Sequence, residues 1–528
     1  MVLVSVAAAM TVVATDVGKG QEAPPPSRRV LFFDLWKWDD WQHVELVPGE
    51  PRWIPEGTWT DPADPRRGVH SPTVWRDEAS GTWRMVHSLK WSPFTLMAAQ
   101  SEDGIAWRPL PVPDVEPEGG KLAPHHVFTL PEGAGGTAYV DPQATDGYRF
   151  RIFARQDGEP VRLRAAADPA HPWHGVVAAE GGDGKRYLTE AVTLVSRDGL
   201  RWELKTGGEW RWDLPGWHPE PPVFAFRDER RSRHGMTVRP GWGDRRQCLR
   251  WSRDLRTWTE PELLLQPDAQ DTVGPVGFYG MPVHPVGNGA GFVGLLWVFR
   301  NANSQPVDSF NQFFGTMEAE LVSSYDGTRF FRGPRTPFLR RRPIPEPGCT
   351  QIRPSSIVET PDEIRIYSEG HRGEHGRERA EQERAGELPL GSLLLHTLRP
   401  DGWMRLRPTG DWGRIQSKPF VLFTPEIRVN ADASFGELRF QVTDERSQPL
   451  PGLGFEEGEP IRGRDARDVP LRWKEADLTG AVGRPVRLEI RLRNAELYAL
   501  AMSHHFLDAQ DSWLLKDGRG IDPSWFDF

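Results

Sequence analysis

One short pattern recurs along the 528 residues and constrains the fold more than any other feature. Ser101-Glu-Asp-Gly-Ile-Ala-Trp107, Ser196-Arg-Asp-Gly-Leu-Arg-Trp202, Ser252-Arg-Asp-Leu-Arg-Thr-Trp258 and Ser324-Tyr-Asp-Gly-Thr-Arg-Phe330 each place an Asp four residues before an aromatic side chain. A degraded fifth copy, Pro400-Asp401-Gly402-Trp403, brings the aromatic two residues closer. The repeated Asp positions, 103, 198, 254, 326 and 401, are 95, 56, 72 and 75 residues apart. That is the spacing of a repeated β unit with variable insertions.

An Asp-Gly turn lets the chain reverse between two antiparallel strands. A strand precedes each full copy, at Leu96 to Gln100, Ala191 to Val195, Gln247 to Trp251 and Glu318 to Val322. A single four-stranded unit cannot bury its two faces alone, so neighbours must stack, with the aromatic residue packed between them. Gly (53) and Pro (49) are scattered along the chain, which favours short strands and leaves little room for long helices. Tyr148 to Phe153, Phe292 to Phe299, Glu363 to Tyr367 and Arg487 to Leu492 read as further strands.

The expected fold class is all-β, with a five-bladed β-propeller over residues 30–414. Beyond Ile415, Gly436-Glu-Leu-Arg-Phe-Gln-Val442 and Val486-Arg-Leu-Glu-Ile-Arg-Leu492 alternate apolar and polar side chains, which places one strand face on a core and the other in water. This predicts a β-sandwich over 415–507, followed by a tail over 508–528. Unrelated Asp-Gly hairpins in an all-β protein are the competing reading.

The charge balance excludes a role dominated by nucleic-acid backbone, since 65 Lys and Arg face 74 Asp and Glu, a formal net charge of −9. The basic runs Arg227 to Arg233 and Arg340 to Arg342 are short and mixed with acids or prolines. Cys248 and Cys349 allow at most one disulfide, and neither has the spacing of a structural zinc site. The opening MVLVSVAAAMTVVAT is too short to span a bilayer comfortably. It reads as a signal segment without the usual basic start, so residues 1–29 are expected to be signal and linker, the protein secreted or periplasmic, and stable membrane insertion is not expected. No GxGxxG, GxxxxGK[ST] or GxSxG stands in the required setting, so neither a nucleotide cofactor nor serine-hydrolase chemistry is expected.

The repeat, the five-unit count and the appended sandwich together resemble the five-bladed glycosidases of the families 32, 43 and 68 group. More closely, Ile415-Gln-Ser-Lys-Pro-Phe420, Val429-Asn-Ala-Asp432 and Arg491-Leu-Arg-Asn-Ala-Glu-Leu-Tyr498 resemble a family 32-like set of glycoside hydrolases. The resemblance implies a carbohydrate substrate and carboxylates that converge from different blades at the mouth of an axial channel.

Four carboxylates are candidate catalytic groups on that basis. Asp61, in Trp59-Thr-Asp-Pro62, resembles the Asn-Asp-Pro element of the family 32 nucleophile with Thr60 in place of Asn, and Asp64-Pro65 is a competing match. Asp228, in Phe226-Arg-Asp-Glu229, resembles the Arg-Asp-Pro element that holds sugar hydroxyls, with Glu229 in place of Pro. Asp141, in Ala138-Tyr-Val-Asp-Pro142, closes a strand that opens the second blade, as a base, a sugar ligand or an ordinary Asp-Pro turn. Glu369, in Ile366-Tyr-Ser-Glu-Gly370, is placed to be a general acid, which needs a raised pKa; Glu220 and Glu318 are alternatives.

His70, His126, His234, His371 and Arg239 are candidate substrate-binding groups near strand starts or ends, and Tyr279 is expected near the axis. Trp59 and Trp242, outside the repeat, are candidate stacking platforms for sugars. No cofactor or metal is called for. The expected function is glycosidic-bond hydrolysis, with noncatalytic carbohydrate binding and polysaccharide elimination by Tyr, His and Arg as alternatives. Oligomeric state is not legible.

Overall fold

The computed structural model describes residues 25–90, 93–171, 174, 188–212, 221–239, 245–271, 276–301, 315–375, 389–519 and 521. The expected signal segment, Glu220 and Trp242 lie outside the described residues. The described chain is all-β, its α-helices being Glu159–Ala167 and Ala509–Lys516. No described helix is long and apolar enough to cross a membrane.

Residues 52–398 form five antiparallel four-stranded meanders. The first comprises His70–Arg76, Trp83–Lys90, Phe94–Ser101 and Arg108–Pro109. The second comprises Tyr139–Val140, Phe150–Asp157, Thr189–Ser196 and Trp202–Lys205. The third comprises Phe224–Asp228, Arg233–Val238, Gln247–Ser252 and Glu262–Leu265. The fourth comprises Val283–Val286, Gly291–Asn301, Gly315–Ser324 and Phe331–Arg332. The fifth takes Gln351–Glu359, Ile364–His371 and Gly391–Leu398 from its own stretch, and its outer strand is the distant Arg52–Trp59.

Each repeat occupies the turn after the third strand of its meander, and its side chains close the turn. Ser101 Oγ donates to Asp103 Oδ1 and accepts from Gly104 N, while Asp103 Oδ1 accepts from Ile105 N and Ala106 N. The copies at Asp198, Asp254 and Asp326 make the same Ser-to-Asp bond and the same pair of Asp-to-backbone bonds.

The aromatic residue then packs on the preceding meander: Trp107 lies against Tyr367 of the fifth and Trp258 against Phe153 of the second. Five apolar clusters follow, one at each junction, including that between fifth and first, where Tyr367, Leu393 and Leu395 meet Val74, Trp83 and Trp107. The ring of meanders is therefore closed by packing as well as by the strand Arg52–Trp59.

The short strands His126–Leu130, Gly133–Ala134 and Val276–Phe278 add to the first, second and fourth meanders, and the other nine strands form one sheet around a separate core that includes Phe420, Val429, Phe440, Leu488 and Leu500. Its centre is the long strand Phe420–Thr443, which pairs with Glu496–Phe506, Pro485–Arg493 and Ile461–Pro470. The division differs from the expected one. Arg28–Leu31, Trp38–Gln42, Val44–Pro48 and Met404–Pro408 belong to this sheet, although the sequence groups residues 30–48 and 404–414 with the repeat. Pairings such as Arg28 with Met502 span most of the chain and leave no local trace.

The five first strands surround one cavity of about 400 Å³, lined by residues such as Thr73, Ala138, Phe224, Val283 and Ser356. Thr73 Oγ1 accepts from Ala138 N, and Val74 N donates to Ser356 Oγ, which holds the first, second and fifth first strands level.

Candidate functional site

At the end where the first strands begin, the first and fifth meanders bring together a buried cluster. Glu369 and His371, two apart on the strand Ile364–His371, project to the same face. Arg353 stands opposite Glu369 in the neighbouring strand, and His70 opens the first strand of the first meander. Arg353 Nε pairs with Glu369 Oε1, and Arg353 Nη2 donates to His371 Nε2 at 2.5 Å. His371 Nε2 lies 3.4 Å from Glu369 Oε1, and His70 Nδ1 lies 3.9 Å from Oε2. Ser71 has a left-handed φ of 47°, which aims its N–H at Glu369 Oε2, 2.5 Å away. Strained backbone of this kind persists only where the surroundings hold it, and such places are often functional.

Beside this cluster a second carboxylate is fully enclosed. His125 Nε2 donates to Asp61 at 3.0 Å, His87 Nε2 lies 3.0 Å from its Oδ2, and Ala63 N donates to its Oδ1 at 2.7 Å. The edge of the Trp59 ring packs on His87, with centroids 5.4 Å apart. Further round the rim, the Tyr279 hydroxyl and His375 Nε2 are 2.9 Å apart. The guanidinium groups of Arg239 and Arg245 lie 4.3 and 5.3 Å from the Tyr279 ring centre, and Arg239 Nη2 donates to Pro221 O.

Both rim carboxylates are held ionised. Burial by itself would raise the Asp61 carboxyl, but the hydrogen bonds from His125 and His87 outweigh it and hold the group far below its usual range. Burial likewise opposes ionisation of Glu369, and the charge of Arg353 overcomes it. The expected general-acid character of Glu369 is therefore not what its surroundings produce; they make it a persistent carboxylate. Burial, reinforced by His371, lowers His70 to about 3 and keeps it neutral.

The structure separates the remaining candidates from this rim. Asp228 closes its strand at the opposite end, fully buried, where Arg233 Nε and Arg231 Nη1 donate to its Oδ2 at 2.9 and 3.1 Å. Asp141 also follows the end of its first strand, on the cavity wall, with His234 Nε2 4.0 Å away. Arg227 Nη1 donates to that His234 Nε2 at 2.7 Å, so its Nδ1–H faces the Tyr139 hydroxyl. His126 is engaged by its own loop, accepting from Leu122 N and donating to Phe128 O. Its neighbour His125, which points the other way, is the residue on Asp61. Glu318 sits near Arg341 and Arg300, at 3.5 and 3.8 Å.

Sequence reasoning thus places Glu369, His70, His371, Asp61, Trp59, Arg239 and Tyr279 among the candidates now found on this rim. It misses His87, His125, Arg353, Ser71 and His375. Nothing local marks these: the partners of His87, His125, Ser71 and His375 lie far along the chain, and Arg353 meets Glu369 only through the pairing of two strands of the fifth meander.

No known protein family matches the chain by sequence profile, and no curated protein matches by sequence. Among solved structures the chain is similar to a family GH32 β-fructofuranosidase of Bombyx mori, with TM-score 0.40 and 11% identity over 86% of this chain and 94% of that one. It is also similar to an N-acetylgalactosamine deacetylase from F. plautii, with TM-score 0.35 and 14% identity over 85% and 95%. A glycosyl hydrolase from Bacteroides ovatus gives TM-score 0.40 and 13% identity over 69% and 95%. At these values no residue's role passes from them to this chain.

Proposed function

We propose that this protein is a carbohydrate-active hydrolase, a five-bladed β-propeller carrying a β-sandwich, with its chemistry at the rim where the first strands begin. The observation that carries the reading is the convergence of Glu369, His70, His371 and Arg353 beside Asp61, His87 and His125. Glycosyl transfer to water passes through a positively charged, oxocarbenium-like state. Glu369, kept ionised, supplies the carboxylate that faces this charge or activates water. Asp61 lies beneath the two imidazoles and orients them, a positioning role. Trp59, partly buried, offers a flat face for the apolar side of a sugar.

A second reading has one observation behind it. Tyr279, bonded to His375 and flanked by Arg239 and Arg245, is a set that can remove a proton beside a uronate carboxylate while the arginines neutralise it. Elimination leaves an unsaturated sugar and hydrolysis does not.

The test is a panel of glycans, aryl glycosides and uronate polysaccharides, read for new reducing ends and for ultraviolet absorbance of unsaturated products. Glu369→Gln should lower the rate by at least about 100-fold while the fold survives. New reducing ends without absorbance support hydrolysis; absorbance that depends on Tyr279 supports elimination. Full activity in a folded Glu369→Gln variant rules out this centre for hydrolysis.

A further inference from the structure

We propose that His70, Glu369 and His371 bind one divalent transition-metal ion. Their ligand atoms all lie within 4.8 Å of one another. Two imidazoles and one carboxylate suit Zn²⁺, Mn²⁺ or Fe²⁺, whereas Ca²⁺ and Mg²⁺ favour oxygen-only surroundings. A tetrahedral centre with bonds of about 2.0–2.1 Å spaces its ligand atoms roughly 3.4 Å apart. His371 Nε2 lies 3.4 Å from Glu369 Oε1 and His70 Nδ1 3.9 Å from Oε2, near that spacing, and the three residues draw together to close the triangle on one ion. His70 is the member open to solvent, its side chain 21% exposed, and it marks the entry side. Three protein ligands leave a coordination position for water or a sugar hydroxyl. The Ser71 N–H already orients the carboxylate, as groups behind metal ligands commonly do.

Arg353 is the competitor. Its guanidinium pairs with Glu369 Oε1 and donates to His371 Nε2, both of them atoms the ion would take. A guanidinium and a metal ion cannot both neutralise these atoms at full strength, so binding requires the arginine to swing aside. Arg353 then weakens the site without removing a ligand. The inference concerns the same cluster as the proposed function, but metal uptake is read with no glycan present. A failure to bind leaves the cleavage reading standing, and an inactive protein that binds metal fails only the cleavage reading.

The full chain, treated with chelator and desalted, is titrated calorimetrically with Zn²⁺ and separately with Mn²⁺. Bound metal is counted by elemental analysis after gel filtration. We expect one ion per chain, lost in His371→Ala and in His70→Ala, and held about tenfold more tightly in Arg353→Leu. His70→Ala provides the less buried variant should His371→Ala fail to fold. The proposal is overturned if the unaltered protein takes up no stoichiometric metal, if both histidine variants keep it, or if only Arg353→Leu binds.

Discussion

Asp228 and Glu369 are both buried carboxylates neutralised by arginine, yet their surroundings give them different work. Asp228 faces Arg231 and Arg233 from its own hairpin, so its charge closes a turn. Glu369 meets groups from two meanders, one of them a strained backbone N–H. Asp228→Asn should therefore leave glycan-cleaving activity within about twofold. Because it weakens a buried charged bond, it should cost about 1–3 kcal/mol of stability, read as a lower urea midpoint. An inactive, fully stable Asp228→Asn would reverse the assignment of ends. The residues around Asp228 resemble a sugar-holding element, but which end of a strand a residue occupies depends on where pairing starts. Neighbouring side chains do not determine that. The same limit separates His126, which opens the strand His126–Leu130, from His125 in the turn before it: one residue along the chain exchanges partner for bystander.

At the scale of the element, the Ser-x-Asp turn is the part of the fold most legible in the sequence, because all its hydrogen bonds lie within five residues. Its outward packing is long-range. Gly104, at φ 75°, lies at the junction of the first and fifth meanders, where an added Cβ would meet Arg365 and Tyr367 of the fifth, the latter's Oη at 2.9 Å, and Trp83 Cδ2 of the first at 2.8 Å. Gly81, at φ 70°, has nothing within 4 Å of that position. Gly81→Ala should cost only the backbone strain, about 1–2 kcal/mol. Gly104→Ala adds overpacking of about 1–3 kcal/mol and should lower the unfolding midpoint further. Equal midpoints would mean that the junction between fifth and first meanders yields freely and does not hold the ring. The closing strand itself is illegible in sequence: Trp53 pairs with His396, and nothing in Arg52–Trp59 names a partner more than 300 residues away.

For the molecule as a whole, acid stability follows from histidines folded in neutral form: His70 and His234 on or beside the first strands, and two more, His396 and His504, one in each part. Burial, with Arg342 nearby, lowers His396 in the fifth meander from 6.5 to about 4. Burial, with Lys37 nearby, lowers His504 in the nine-stranded sheet to about 3. Unfolding frees each to take up a proton near pH 6.5, which the folded chain refuses until pH 4 or below. In that window the unfolded state binds more protons, so stability rises with pH and is lost as pH falls. Each group contributes about 1 kcal/mol per pH unit. Asp61 and Glu369 also lose stability on acidification, but only below the ordinary carboxylate range of 3.8 to 4.5, which keeps the windows apart. Urea midpoints should fall steadily from pH 7 to pH 4.5, and His396→Gln should flatten part of that slope without changing activity at pH 7. A midpoint independent of pH across this range would show that these histidines are solvated or charged in the folded chain. The tight closure of the fifth meander around His396 would then be wrong.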